Sequence, residues 1–207
     1  MKFTLCTDDK VFPYMLIDDF YDTQEQNLIW EELDSYKDDF KEDNKSGGYG
    51  VAFDVKNNRR AARLKRIYLD DRYIAHREDS NILTLYRKIL SEEVLEAYRK
   101  TTPSWRTFEI TNQDCSVISY YENLDKYSEH FDKFMHTVLI WFYREPKRFD
   151  GGDFIFNQSN QTIECRHNRM IMFPSYYVHE AKIVNMKEEY QHQGLGRFCM
   201  AHFFTKG

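Results

Sequence analysis

The chain has 207 residues, a formal net charge of −5 and an aromatic content of 16%. That length suits one domain with a sizeable core, and the mild acidity leaves no electrostatic footprint for nucleic acid. The longest apolar run, Val138 to Tyr143, is too short to span a bilayer, and no charged-then-apolar leader opens the sequence. Cys6, Cys115, Cys165 and Cys199 show no CxxC pairing, which argues against a zinc knuckle, a thioredoxin-like site or a disulfide framework. The expectation is a soluble protein of a reducing, cytoplasmic compartment, with no membrane and no nucleic-acid partner.

Val11 to Phe20 reads as a buried strand, and Thr23 with Gln26 three residues on reads as a capping box for a helix running to about Tyr36. From Lys37 to Arg66 the chain turns polar. Gly47, Gly48 and Gly50 precede a cationic cluster of Arg59, Arg60, Arg63, Lys65 and Arg66. Residues 37–66 are expected to leave the core, either as a solvated loop or as a mobile flap over a site. Asn81 to Lys100 has a helical apolar period, restarting at Ser91 and closed by Thr101-Thr102-Pro103. The remainder reads as short strands: Trp105–Ile110, Cys115–Tyr121, Thr137–Tyr143, Asp153–Phe156, Met170–Phe173, His179–Val184 and Arg197–Phe204. They are rich in branched and aromatic residues and separated by turn signals such as Asp150-Gly151-Gly152. Helices in the first half and serial strands in the second predict an α+β chain, mainly β, with a sandwich or barrel-like double sheet. No repeat or linker divides it, so residues 1–207 are expected to form a single domain.

Chemistry concentrates at Tyr127-Ser128-Glu129-His130-Phe131-Asp132. An imidazole and a carboxylate two positions apart face one way on a strand. His130 and Asp132 are thus candidate metal ligands, with His179 the best third candidate. Two histidines and one carboxylate on one face of an octahedron form the site of non-haem Fe(II) oxygenases, with positions left open for substrates. Taken alone, H-x-D is a weak signal.

The ordered set of segments is more specific. Leu16-Ile17-Asp18-Asp19-Phe20, Ser119-Tyr120-Tyr121, the 127–132 segment, Asp150-Gly151-Gly152-Asp153-Phe154, Met172-Phe173-Pro174-Ser175, His179 and Gly196-Arg197-Phe198 fall in one order along nearly the whole chain. Together they resemble the prolyl 4-hydroxylase-like branch of the Fe(II)- and 2-oxoglutarate-dependent oxygenases. The resemblance implies a double-stranded β-helix (jelly roll) with the N-terminal helices packed on one sheet. It implies His130, Asp132 and His179 as iron ligands and catalytic centre. Arg197 takes the family's place for the cation that grips the far carboxylate of 2-oxoglutarate, with Lys182 and Lys187 as competitors because Asn185 to Leu195 makes a longer connection than in relatives. Tyr127 is implied to reach the co-substrate carboxylate and Tyr121 to line the pocket, while Trp141 would wall the substrate side. His136, His167, His192 and His202 match no ligand position. Gly151 and Gly152 are expected to supply unusual backbone angles before a core strand.

The implied cofactors are Fe(II), 2-oxoglutarate as co-substrate and O₂, with ascorbate as a stimulant. The implied reaction is hydroxylation of an unactivated C–H with release of succinate and CO₂. Asp132 favours hydroxylation over halogenation, because related halogenases lack that carboxylate. The substrate expected from the branch is a prolyl residue in a peptide or protein, covered by residues 37–66. Oxidation of a free amino acid or other small molecule stays open. So do a non-catalytic metal-binding or interaction module on the same jelly roll and a structural assembly subunit.

Overall fold

A computed structural model describes residues 1–7, 12–42, 53–54 and 59–207. The strands in chain order are β1 (Lys2–Cys6), β2 (Tyr14–Asp18), β3 (Lys41–Glu42), β4 (Phe53–Asp54), β5 (Arg59–Arg60), β6 (Ala62–Arg63), β7 (Lys65–Tyr68), β8 (Gln113–Tyr121), β9 (Lys126–His130), β10 (His136–Phe142), β11 (Phe149–Gly151), β12 (Phe154–Phe156), β13 (Gln161–Ile163), β14 (Arg169–Pro174), β15 (His179–Ala181), β16 (Val184–Met186) and β17 (Arg197–Thr205). The helices are α1 (Thr23–Ser35), α2 (Leu69–Arg72), α3 (Asn81–Leu85), α4 (Glu92–Thr101) and α5 (Trp105–Glu109). An eight-stranded sheet in the order β1-β2-β14-β10-β17-β8-β7-β3 faces a five-stranded sheet, β13-β12-β15-β9-β6. All their pairings are antiparallel. This is the jelly roll expected from the strand pattern and the resemblance.

Two cores follow from the period-2 alternation of the central strands. Val117, Tyr121, Leu139, Trp141, Ile171, Phe173, Cys199 and Ala201 point between the sheets and meet Phe154 and Phe156 of the smaller sheet. The alternate positions, Ile118, Tyr120, Val138, Ile140, Phe142, Met170, Met172, Phe198 and Met200, point outward to α1, α3 and α4 through Ile29, Leu33, Ile82 and Val94. With both faces covered, β10 is buried at all seven positions, so it reads as a continuous apolar run.

Several sequence expectations shift. α1 is capped one residue earlier than Thr23: Asp22 Oδ1 accepts from Glu25 N at 2.9 Å, and Glu25 Oε2 accepts from Asp22 N at 2.8 Å. Aspartate caps as well as threonine, and a glutamate at the third helical position closes the box. Trp105–Ile110, expected as a strand, is instead α5. Trp105 and Phe108 lie three apart, a helical spacing. Phe108 packs edge-on to His136 and Phe204, and Arg99 lies over the Trp105 ring and pairs with Glu109. His179–Val184 is two strands, β15 and β16, rather than one. Val11 lies outside the described residues, as do 43–52 and 55–58 of the expected flap. The end of that segment, however, does not leave the core. β6 pairs with β9 and β7 with β8, and Ala61, Leu64 and Arg66 are buried. Of the cationic cluster, Arg63 pairs with Asp125 at 3.2 Å and Lys65 with Glu122 at 3.5 Å. Arg66 points inward and donates from Nε to Ser119 Oγ at 3.0 Å.

Candidate active site

His130 ends β9, and Asp132 lies just beyond it in the following turn. That turn is held by the Asp132 N–H donating to the Ser175 carbonyl at 3.0 Å. His179 opens β15, which is the antiparallel neighbour of β9 and pairs His179 directly with His130. Three side chains distant in sequence therefore converge. His130 Nε2 is 3.7 Å from Asp132 Oδ1, and His179 Nε2 is 3.5 Å from Asp132 Oδ2. The two imidazole centroids are 4.3 Å apart. Among the described residues this is the one group of three or more His, Cys, Asp or Glu whose ligand atoms can hold a metal ion.

The tautomers suit that use. His130 Nδ1 lies 2.8 Å from the Ser128 carbonyl and His179 Nδ1 lies 2.7 Å from the Tyr177 carbonyl. A carbonyl only accepts, so each Nδ1 carries the hydrogen and each Nε2 presents a lone pair to the shared space. Burial, and then the neighbouring His179, hold His130 well below the usual imidazole range, which keeps it neutral. Asp132 is fixed from behind. Thr137 Oγ1 donates to Asp132 Oδ2 at 2.8 Å, and its oxygen also meets Ser175 Oγ at 2.8 Å. Because the threonine hydrogen goes to the carboxylate, Ser175 is the donor in that second bond. Both hydroxyl residues are fully buried.

Arg197 begins β17 opposite Tyr121 of β8, and its side chain turns inward. It is 1% exposed, and its Nε and Nη1 have no hydrogen-bond partner. The guanidinium lies 4.6 Å over the Tyr121 ring and 5.8 Å from the Trp141 ring. Its other neighbours, Cys165 and Cys199, do not balance the charge. Burial raises both thiols, Cys199 to about 11, so they stay neutral. A train of rings links this end to the triad. Trp141 is 6.1 Å from Phe154, which stacks 5.1 Å from His179. A buried guanidinium with idle donors fits a carboxylate-bearing ligand in the same interior.

The competitors lie elsewhere. Lys182 is exposed and pairs with Glu180 at 2.6 Å, and Lys187 is exposed. The longer connection before Arg197 is taken up by a short 3₁₀ turn at Glu188–Tyr190 and a tight turn, with the inward register of Arg197 kept. Gly196 allows this, because a Cβ there would collide with the Tyr121 carbonyl. Gly151 and Gly152 adopt φ of 72° and 75°, as expected of a turn before the core. Tyr127 stacks flat on His130, with centroids 3.6 Å apart, so it belongs to the metal-ligand end, and Arg66 lies 5.3 Å over its other side. Trp141, expected on the substrate side, lies instead beside Arg197. Among the remaining histidines, His136 bonds Tyr98 and Thr107, His202 bonds Ser116, and His167 bonds Gln26.

Two imidazoles and a carboxylate in a jelly-roll barrel are the donor set of a mononuclear non-haem iron centre. Residues 115–205, which carry all of these groups, match the family model described as the 2OG-Fe(II) oxygenase superfamily. Its cofactor is Fe(II), and its co-substrates are 2-oxoglutarate and O₂. In fold the chain is similar to a Pseudomonas putida prolyl-4-hydroxylase, at 14% identity, 97% coverage of each chain and a TM-score of 0.59. It is also similar to a viral collagen prolyl hydroxylase from Paramecium Bursaria Chlorella virus-1, solved as a 2OG complex (12% identity, 92% of this chain and 94% of that chain, TM-score 0.52). An oxidoreductase of the 2OG-Fe(II) oxygenase family from Burkholderia pseudomallei is similar at 13% identity, 94% of this chain and 85% of that chain, with a TM-score of 0.55. Comparison with curated proteins gave no match. Among the described residues no helix is long and apolar enough to cross a membrane.

Proposed function

We propose that this chain is a dioxygenase in which His130, Asp132 and His179 bind Fe(II), Arg197 holds the far carboxylate of 2-oxoglutarate, and a prolyl residue of a peptide or protein is hydroxylated. The observation that carries the reading is the pairing, in one barrel interior, of a metal-ready His-Asp-His group with a buried guanidinium whose Nε and Nη1 lack partners. The prolyl substrate is supported by the fold shared with prolyl hydroxylases of bacterial and viral origin. Four free cysteines support a reducing, cytoplasmic setting.

The protein's own part in the reaction is binding, aiming and shielding. His130 and His179 offer Nε2, and Asp132 offers the third donor while Thr137 keeps its second oxygen occupied. Iron bound there, with 2-oxoglutarate and O₂, supplies the oxidising power for C–H hydroxylation, releasing succinate and CO₂. Arg197 fixes the direction in which the co-substrate enters, by charge-assisted hydrogen bonds. Tyr121, Trp141, Phe154 and Phe173 line the interior with apolar surface that excludes water from the reacting groups. Tyr127 packs against His130 and restrains its ring plane.

The test is succinate release on mixing the protein with Fe(II), ascorbate and 2-oxoglutarate, with and without a panel of proline-containing peptides. Turnover should rise with at least one peptide and vanish in Asp132→Ala. Stimulation by a free amino acid or another small molecule, with every peptide inert, would replace the prolyl reading. Tight iron binding with no 2-oxoglutarate binding at all would leave a metal-binding module.

A further inference from the structure

Of the seven buried side-chain polar atoms that lack a hydrogen-bond partner among the described residues, three are N–H donors on one pair: Nε and Nη1 of Arg197 and Nε1 of Trp141. The two residues are on neighbouring strands. Trp141 of β10 is paired with Cys199 of β17, and Arg197 lies two residues before Cys199, so both side chains share the inward face. The guanidinium carbon is 5.8 Å from the Trp141 ring, and Trp141 is fully buried. The Cys199 thiol beside the indole is only a weak acceptor. An indole N–H can only donate, so a buried one without an acceptor is a standing cost unless a ligand supplies the acceptor. Gly152 gives the arginine stem its room, since a Cβ there would come within 3.1 Å of Arg197 Cδ.

We propose that the Trp141 indole N–H is a second donor to the far carboxylate of 2-oxoglutarate, acting with Arg197 and so selecting a dicarboxylic 2-oxo acid over a monocarboxylic one. The inference rests on the reading of the site given above. A carboxylate has about four lone-pair sites, and a guanidinium uses at most two of them in a forked contact. The indole satisfies a further one without adding charge. Its geometry differs from that of a hydroxyl donor in that the ring cannot rotate to find another acceptor. The N–H is therefore either used by the co-substrate or left with the weak Cys199 acceptor.

The test uses the ¹⁵N-labelled full chain loaded with Zn(II) in place of iron. The protein has three tryptophans, Trp30, Trp105 and Trp141, hence three indole cross-peaks. Trp141→Phe assigns the relevant one. If that variant does not fold, Trp30→Phe and Trp105→Phe assign it by elimination. On adding 2-oxoglutarate the Trp141 indole proton should move downfield. Oxalate, which chelates the metal but has no far carboxylate, should leave it in place. Calorimetric titration should show Trp141→Phe weakening 2-oxoglutarate by roughly tenfold or more, the scale of a hydrogen bond to a charged group, with oxalate affinity unchanged. An indole peak unmoved by bound 2-oxoglutarate, or equal losses for 2-oxoglutarate and oxalate, overturns the role of Trp141 alone. Failure of the wild-type chain to bind 2-oxoglutarate while it binds Zn(II) overturns the underlying reading as well.

Discussion

Replacing Thr137 by valine removes one hydroxyl and keeps the side-chain shape. Its oxygen is the hub of a small buried relay in which Ser175 Oγ donates to Thr137 and Thr137 donates to Asp132 Oδ2, both at 2.8 Å. Thr137 and Ser175 are fully buried, so water does not replace the lost partner. The Asp132 carboxylate loses a charge-assisted bond, a contribution of about 1.5–3 kcal/mol, and Ser175 is left with an unsatisfied hydroxyl at about 1–3 kcal/mol. Part of this is recovered by rearrangement, so a net loss of about 2 kcal/mol in stability is expected by urea unfolding. The larger consequence is at the metal. With Oδ2 released, the carboxylate rotates, and loss of such an outer partner typically weakens metal binding by about 10–100-fold. The assay is Mn(II) titration of the apo-protein followed by calorimetry. Thr137→Ser, which restores the hydroxyl, should recover most of the affinity. If Thr137→Val loses stability but binds Mn(II) as tightly as the wild type, the hydroxyl relay does not orient Asp132.

Arg197→Met should abolish measurable 2-oxoglutarate binding, a loss on the order of a hundredfold or more. Stability without co-substrate should hold or rise, because a buried charge with idle donors is removed; a large loss of stability with unchanged 2-oxoglutarate affinity would assign Arg197 a structural role only. His136 should make the fold acid-sensitive. Thr107 gives its own hydrogen to the Ser104 carbonyl and so accepts from His136 Nε2, which leaves Nδ1 as acceptor for the Tyr98 hydroxyl. One proton thus satisfies the ring, and burial pushes its pKa down to about 4. The unfolded chain takes up that proton first, near pH 6.5, so stability falls as pH drops from about 6.5 to about 4, by about 3 kcal/mol from this residue. Urea unfolding across that range should show a flatter slope for His136→Gln, and an unchanged slope would refute the assignment. Gly196→Ala should destabilise the chain and weaken 2-oxoglutarate binding, since its Cβ would push on the Tyr121 carbonyl under Arg197; thermal melts with and without 2-oxoglutarate check both effects.

The parts of this protein that sequence reading reached are those governed by local rules. Cys115–Tyr121 and Arg197–Phe204 stood out as runs rich in branched and aromatic residues because each strand is packed on two sides by different partners. His130, Asp132 and His179 stood out by residue type and order, and β9 and β15 turn out to be adjacent strands. What escaped was non-local. Trp105–Ile110 has strand-like composition, but its aromatic spacing and the clasp from Arg99 make a helix. The inward turn of Arg66 depends on β7 joining β8, which a basic run in sequence does not announce. Thr137 and Ser175 are small polar residues in apolar strands, and only their meeting behind Asp132 gives them a role. Trp141 is expected on the substrate side but lies beside Arg197, because its place depends on its register with β17.

The most direct trial of the central claim is a crystal structure of the chain with Mn(II) and 2-oxoglutarate. One ion is predicted within about 2.0–2.3 Å of His130 Nε2, His179 Nε2 and an Asp132 carboxylate oxygen, the range for imidazole and carboxylate ligands. The far carboxylate of 2-oxoglutarate should rest on Arg197. An ion bound away from these three side chains, or a co-substrate with its far carboxylate turned from Arg197, would contradict the account.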